Sequence, residues 1–443
     1  MTATREDNIY KKYLDTAIKL ENKRMGYPLT GSVNGFFNGQ RFQKSSTHHK
    51  MIDRSLLGIE PNSLSDVLLL AIGDPETSQV DEEKRHQNDI FYPEDIENEV
   101  IQILARHFKT DQSKLKGYVT SGGTESSLAC VWWLRDHLSH LVSNTPAAKQ
   151  KIAVFASSQS HYSCVKICRL LNLDLFQIEA LSNGSVDVAK LAEAVQRHMQ
   201  KDDSSPMIFW LNAGTTVLGA VDDFAGVKAF LEKNVKAKNG LYGIHTDGAI
   251  LGITLPLLYP KVADLFEFTD TLSLSGHKIL ATAMACGVAL SKRHVIEGAF
   301  SEKDISIGYV HNVQDITVSG GRSASAIFQL HHSLRTFGIH EKSETFKQLI
   351  SGYLENVSFL KDGIAGLIGA ENVIVHPNQF NVIFPLIMEP EHRLELKEKY
   401  TLMSLPDNKV CLTVFANVDK NLILEFLNDY KKYFLSTTPK SAI

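Results

Sequence analysis

Residues 241–252 read LYGIHTDGAILG. An apolar run from Leu241 to His245 ends at Asp247-Gly248, the pattern of a buried strand running out into a turn. Similar short apolar runs, Ile152 to Phe155, Met207 to Leu211 and Gly287 to Leu290, lie on either side of it. Amphipathic stretches separate them; Val188, Leu191, Val195 and Met199 recur at helical spacing. Repeated strand–helix–strand units imply a mostly parallel sheet covered by helices on both faces. In such a sheet ligands sit beyond the carboxyl ends of the strands, which is where Asp247 falls. Asp247 could equally cap the turn beside Gly248. His245 with Asp247 could also ligate a metal, although His-x-Asp is too short to be specific.

Outward from this region, a helix is expected after Pro93, because Ile96, Val100, Leu104 and Phe108 make one apolar face and Pro suits a first helical turn. Beyond about residue 320 the stretches become longer and helical, followed by a strand-like segment, Asn381 to Pro385. The expected organisation is an entry segment over 1–75, a large α/β domain over 76–315, and a smaller C-terminal α/β domain over 316–443. The chain has 443 residues, with 46 Lys plus Arg against 50 Asp plus Glu and a net charge of −4. That balance disfavours a polybasic binder of nucleic acid or membrane surfaces. The charged opening MTATREDNIYKKY is unlike a secretory signal, and the longest apolar runs, such as Val67 to Ile72, fall well short of a bilayer span. Five scattered cysteines (Cys130, Cys164, Cys168, Cys286, Cys411) read as reduced thiols of a cytoplasmic protein. Cys164 and Cys168, four apart, read as small buried side chains, and Trp132 and Trp133 as packing residues.

Three further segments carry chemistry. Thr120-Ser121-Gly122-Gly123-Thr124-Glu125-Ser126-Ser127 precedes an apolar helix-like run. Glycines admit a close ligand and a helix start presents unpaired N–H groups, so the segment suits a phosphate; an ordinary capped turn is its plain alternative. It lacks the lysine of a P-loop, and no GxGxxG occurs in the chain. Ser275-Gly276-His277-Lys278 follows one strand–helix–strand unit after Asp247. Its lysine is either a solvated surface residue or an amine whose pKa is lowered for Schiff-base chemistry. His161-Tyr162-Ser163 opens an amphipathic helix, where His161 is an aromatic lid or a capping neighbour. Each segment is ambiguous alone. Together, in this order, they match the needs of pyridoxal phosphate: an amine for its aldehyde, a carboxylate for its ring nitrogen and donors for its phosphate.

The motifs GYVTSGGTESS (117–127), HYSCVKICRLL (161–171), NAGTTVLGAVDD (212–223), HTDGAILG (245–252), SGHK (275–278) and TVSGGRS (317–323), with Gly26-Tyr27-Pro28 and Ile72-Gly73-Asp74-Pro75, run through nearly the whole chain. In them the sequence resembles the group II pyridoxal-phosphate amino-acid decarboxylases, and most closely the bacterial histidine decarboxylases and the related plant serine decarboxylases. The resemblance implies an α/β protein of PLP fold type I, aspartate-aminotransferase-like, with a large, mainly parallel sheet of the seven-stranded type plus the smaller C-terminal domain. It implies a homodimer with the active site at the subunit boundary. No metal is expected, because the adjacent histidines His48-His49 and His331-His332 would face different directions on a helix and no Cys or carboxylate cluster completes a site. Lys278 would be the Schiff-base lysine, Asp247 the partner of the ring nitrogen, His161 the stacking ring and Ala249 its counterpart on the other face. Gly123 and Thr124, helped by Ser275 and His277, would bind the phosphate. Thr215 and Thr216 would lie near the phenolic oxygen or the substrate carboxylate, and Tyr309 would protonate Cα. The expected reaction is decarboxylation of an L-amino acid, histidine first, to the amine and carbon dioxide. Serine, an aromatic or another amino acid, or a different reaction such as transamination or aldol-type cleavage, are the alternatives. A catalytically silent relative is disfavoured by the presence of both Asp247 and Lys278.

Departures fall at Ala71-Ile72, where relatives carry two asparagines, at Gly320-Gly321-Arg322-Ser323-Ala324 in place of an SRNG-like run, and at Val414-Phe415-Ala416-Asn417-Val418.

Overall fold

The computed structural model describes residues 93–142, 151–202, 204–300, 315–339, 344–415 and 418–437. The 1–75 segment, the motifs at Gly26-Tyr27-Pro28 and Ile72-Gly73-Asp74-Pro75, and Tyr309 lie outside the described residues.

Helix α1 (Pro93–His107) starts on its proline and buries Ile96, Val100 and Leu104, with Phe108 buried just past its end. Seven strands follow: β1 (Leu115–Thr120), β2 (Ala153–Ser157), β3 (Asp174–Ile178), β4 (Met207–Asn212), β5 (Tyr242–Asp247), β6 (Thr271–Ser275) and β7 (Gly287–Lys292). They form one sheet in the order β1-β7-β6-β5-β4-β2-β3. Neighbours from β3 through β6 pair in parallel, whereas β7 runs antiparallel to both β6 and β1. The link from β6 to β7, residues 276–286, is too short to carry a helical crossover, so the chain turns back on itself there.

The apolar runs of the sequence become central strands because both faces are covered. β2 and β4 are buried throughout, and along them successive side chains enter opposite cores. Val154, Ile208 and Trp210 join one core with Ala129 and Trp133 of α2 (Gly123–Leu141), while Phe155 and Phe209 join the other with Leu191 and Val195 of α4 (Val188–Lys201). Between them in the chain, α3 (Ser163–Leu170) follows β2 and packs Cys164, Ile167 and Cys168 into the first core. Aspartates start two of the helices on the second face. Asp187 accepts the N–H groups of Ala189 and Lys190 ahead of α4, and Asp223 that of Gly226 ahead of α5 (Phe224–Asn234). Trp133 is fully buried, with its indole N–H bonded to the Ile316 carbonyl at 2.9 Å, and Trp132 packs edge-on against Phe300.

The rest of the chain builds a small antiparallel sheet, β8 (Asn381–Pro385), β9 (Met403–Ser404) and β10 (Lys409–Thr413), in the order β8-β10-β9. Phe384 of β8 packs on Phe426 and Tyr430 of the last helix, whose phenol also donates to the Pro385 carbonyl at 2.7 Å.

The order β3-β2-β4 defines a switch point: the chain leaves β2 for one neighbour and then returns to the other side of it. A crevice opens at such a point beyond the carboxyl ends of the strands. The residues discussed next sit along that edge.

Candidate active site

β1 ends at Thr120 and α2 begins at Gly123. Gly122 between them has φ 154° and ψ 174°, a backbone conformation essentially confined to glycine. At Gly123 the lack of a side chain matters for a different reason. An added Cβ would lie 2.5 Å from Ser275 Oγ and 3.2 Å from Ala249 Cβ. The helix start, the turn after β5 and the end of β6 thus converge within one side chain's width. His277 faces the same loop, its Cε1 3.8 Å from where a Gly122 Cβ would stand. Its Nδ1–H donates to the Cys286 carbonyl at 3.1 Å, which leaves Nε2 without a proton in the neutral ring.

Asp247 ends β5, buried, with Asn212 of β4 and Ser273 of β6 beside it in register. One carboxylate oxygen accepts the Ala249 N–H at 3.1 Å, which orients the side chain and the turn together. Lys278 follows the end of β6 by three residues. Burial of its amine lowers the pKa from the ordinary lysine value, and the Asp247 charge opposes that shift. A lowered pKa enlarges the neutral, nucleophilic fraction of the amine at neutral pH.

His161 completes the group from the loop after β2. Its Nδ1 accepts the Ser163 N–H at 3.3 Å and the Ser163 hydroxyl at 2.8 Å, so the neutral ring carries its proton on Nε2. Burial lowers its pKa; Asp247 pulls in the opposite direction, and Lys278 and Lys166 add to the lowering. The imidazole is therefore a neutral ring at pH 7 within the field of both Asp247 and Lys278. Thr215 and Thr216 lie on the turn after β4. The Thr215 hydroxyl accepts the Ala220 N–H at 3.0 Å inside the turn, and the Thr216 carbonyl accepts from Asn381 Nδ2 at 3.0 Å. Asn381 also donates to the Val217 carbonyl at 2.7 Å, so the small sheet holds this turn.

Sequence reasoning missed a second layer. Asn212 Nδ2 donates to Ser160 Oγ at 3.1 Å and to Asp222 Oδ2 at 2.9 Å, joining the loop that carries His161 to the end of β4. Asp222 is buried and also accepts the N–H groups of Val186 at 2.6 Å and Asn212 at 2.7 Å. Burial outweighs these bonds and raises its pKa to about 6. The trace in the sequence was the motif NAGTTVLGAVDD, whose first residue is Asn212 and whose second-to-last is Asp222. His245, by contrast, is fully buried, edge-on to Trp210 and bonded to Thr271, and burial lowers its pKa to about 3. It is a neutral core residue. Among the described residues no group of three His, Cys, Asp or Glu side chains could hold a metal.

A buried amine, a strand-end carboxylate, a neutral imidazole and a glycine-lined helix start thus share one edge of the sheet. Their chemistry fits pyridoxal phosphate. Residues 92–387, more than half the chain, match the pyridoxal-dependent decarboxylase conserved domain. The chain belongs to that family, and its reaction is pyridoxal-phosphate-dependent decarboxylation of an amino acid. Among its relatives, the histidine decarboxylase of Vibrio anguillarum is 28% identical over 301 residues, covering 68% of this chain and 71% of that protein. The histidine decarboxylase of Solanum lycopersicum is 29% identical over 381 residues, covering 85% of this chain and 78% of that one. The structure of L-methionine decarboxylase from Streptomyces sp. 590 superposes with a TM-score of 0.64 at 19% identity, over 78% of this chain and 84% of that one.

Two expectations are corrected by these findings. The solved fold that this chain shares is that of an amino-acid decarboxylase, so the α/β fold of the pyridoxal-dependent decarboxylases replaces the aspartate-aminotransferase-like fold type I expected from the sequence. The expected link to plant serine decarboxylases finds no support; the plant relative, like the bacterial one, is a histidine decarboxylase. Among the described residues no helix is long and apolar enough to cross a membrane.

Proposed function

We propose that the substrate is L-histidine, released as histamine and carbon dioxide. The histidine decarboxylases among its relatives support this reading. The observation that carries the site assignment is the buried Lys278 amine, set electrostatically against Asp247, with the neutral His161 ring in the field of both. Lys278 holds the cofactor through its aldehyde, and its lowered pKa keeps a neutral amine available for that bond. Asp247 holds a proton on the ring nitrogen; its bond from Ala249 keeps the carboxylate aimed. His161 covers one face of the ring and Ala249 the other. Gly123 and Thr124 bind the phosphate with amides of the first helical turn, assisted by Ser275 and His277. Thr215 and Thr216 orient the substrate carboxylate or the phenolic oxygen, and Tyr309 delivers the proton to Cα. When bound, the cofactor supplies an electron sink for the pair left as the carboxylate departs.

The same reading takes the chain as a homodimer with the site at the subunit boundary, divided into a 1–75 dimerisation segment, a 76–315 cofactor domain and a 316–443 C-terminal domain. The two separate sheets support the last division. Five free, buried cysteines support a reducing, cytoplasmic setting. Incubation with each of the twenty amino acids tests the substrate: histidine gives amine and carbon dioxide one-to-one. Preference for another amino acid replaces histidine in this reading, and keto-acid formation replaces decarboxylation.

A further inference from the structure

Glu125, the third residue of α2, sits in the loop that the proposed function gives to the cofactor phosphate, where a carboxylate would repel an anion. Both of its oxygens are held by hydrogen bonds instead. Oε2 accepts both the N–H and the hydroxyl of Ser121, at 2.9 and 2.5 Å, which fixes the entry of the Gly122–Gly123 turn. Oε1 faces elsewhere, accepting the Tyr118 hydroxyl and the Ser319 hydroxyl, both at 3.4 Å. Tyr118 in turn accepts the Val318 N–H at 3.1 Å, and its ring lies 5.1 Å below the Arg322 guanidinium. Arg322 is anchored by an ion pair to Glu97, whose same oxygen accepts the Val119 N–H at 2.7 Å. The phosphate loop and the 318–322 segment, nearly 200 residues apart in the chain, are therefore joined through one carboxylate. Burial raises the Tyr118 pKa, so its phenol stays a donor to Glu125 at any working pH.

We propose that Glu125 is a positioning residue for cofactor binding: it shapes the Ser121–Gly123 turn for the phosphate and couples that turn to the 318–322 segment through Tyr118 and Ser319. This rests on the reading of the 121–124 loop as the phosphate site. The claim concerns the phosphate end of the cofactor only. Glu125→Ala therefore weakens pyridoxal phosphate while leaving pyridoxal, which lacks the phosphate, almost unaffected.

The test is titration of cofactor-free protein with pyridoxal phosphate and with pyridoxal, followed by visible absorption. The quantity read is the ratio of the two dissociation constants. Loss of charge-assisted bonds predicts that Glu125→Ala lowers this discrimination about tenfold or more. Glu125→Gln keeps one acceptor oxygen for Ser121 but presents an amide to Tyr118 and Ser319, and falls between. Ser319→Ala, which leaves the loop untouched, lowers discrimination about two- to threefold, and adds nothing further on Glu125→Ala because the two act through one bond. If Glu125→Ala does not fold, the Gln and Ser319 variants carry the test. Equal weakening of both ligands, an unchanged ratio, or additive Ser319 and Glu125 effects would overturn the proposal. Gly123→Ala separates this from failure of the underlying reading. If it collapses the ratio while Glu125→Ala does not, the loop binds phosphate and the coupling is wrong. If neither changes it, the loop does not bind the phosphate and both ideas fall.

Discussion

Asp222 offers a pH signature that can be worked out in advance. Its carboxylate is buried and accepts three N–H donors, from Val186 and from the main chain and side chain of Asn212, yet burial leaves its pKa raised to about 6. In the unfolded chain an aspartate titrates near 3.9. Between those values the folded state binds a proton that the unfolded state has lost, so stability falls as pH rises and levels off above about 6. At about 1.4 kcal/mol per unit, the loss between pH 4.5 and 7 is about 2 kcal/mol. Asp222→Asn removes the titration. It also turns an amide N–H toward one of the three donors, a constant penalty of about 1–3 kcal/mol for a buried group left unsatisfied. The offset is the same at every pH; the slope is not. Urea unfolding of cofactor-free protein at pH 4.5, 5.5, 6.5 and 7.5 isolates the effect as the difference between wild type and variant. That difference shifts by about 2 kcal/mol across the window, the wild type becoming relatively weaker as pH rises. A difference that stays constant with pH would refute the argument that burial outweighs the three bonds.

Lys278→Ala abolishes turnover and covalent cofactor attachment, checked by mass spectrometry after borohydride reduction. Asp247→Ala retains the attachment but loses most activity, at least about a hundredfold if the ring nitrogen needs its carboxylate. Tyr309→Phe binds cofactor normally and shows impaired amine formation; normal amine yield would remove Tyr309 from the reaction. Asn381→Ala strips the donor from the Thr216 and Val217 carbonyls and frees the turn, which raises KM for the amino acid while cofactor affinity holds. An unchanged KM would show that the turn does not meet the substrate.

Much of the architecture was legible because it rests on burial. The runs Ile152 to Phe155, Met207 to Leu211, Leu241 to His245 and Gly287 to Leu290 fall, to within one residue, in β2, β4, β5 and β7, strands enclosed on both faces or nearly so, where burial favours a continuous apolar run. β3 was not legible: as an edge strand it is largely exposed, and its Asp174-Leu175-Phe176-Gln177-Ile178 has no apolar run to show. β6 keeps buried hydroxyls instead, with Ser273 bonded to Ser127 of α2 at 2.9 Å. At the site, Asp247, Lys278 and the Gly122–Gly123 turn could be picked out because their residue types are costly or unusual where the strand pattern puts them. Asn212, Ser160 and Asp222 could not. Asn212 and Asp222 are ordinary polar residues that meet across the turn after β4, and the jump of the chain from β3 back across β2 to β4 sets them against Ser160; no local spacing encodes that jump.

The pairing of β1 with β7 sets Leu115 opposite Lys292 and Thr120 opposite Gly287. The strand that ends in the Ser121–Gly123 turn is synthesised early and gains its only sheet neighbour among the described residues after five other strands have emerged from the ribosome. Closing so long a span is entropically slow, since the ordering is paid before the contact rewards it. A nascent chain halted before residue 287 would thus carry Lys278 and Asp247 with β1 still unpaired, the Ser121–Gly123 turn resting on Ser275 and Ala249, and that turn gains its sheet anchor late, when the reversed strand slots between its two neighbours.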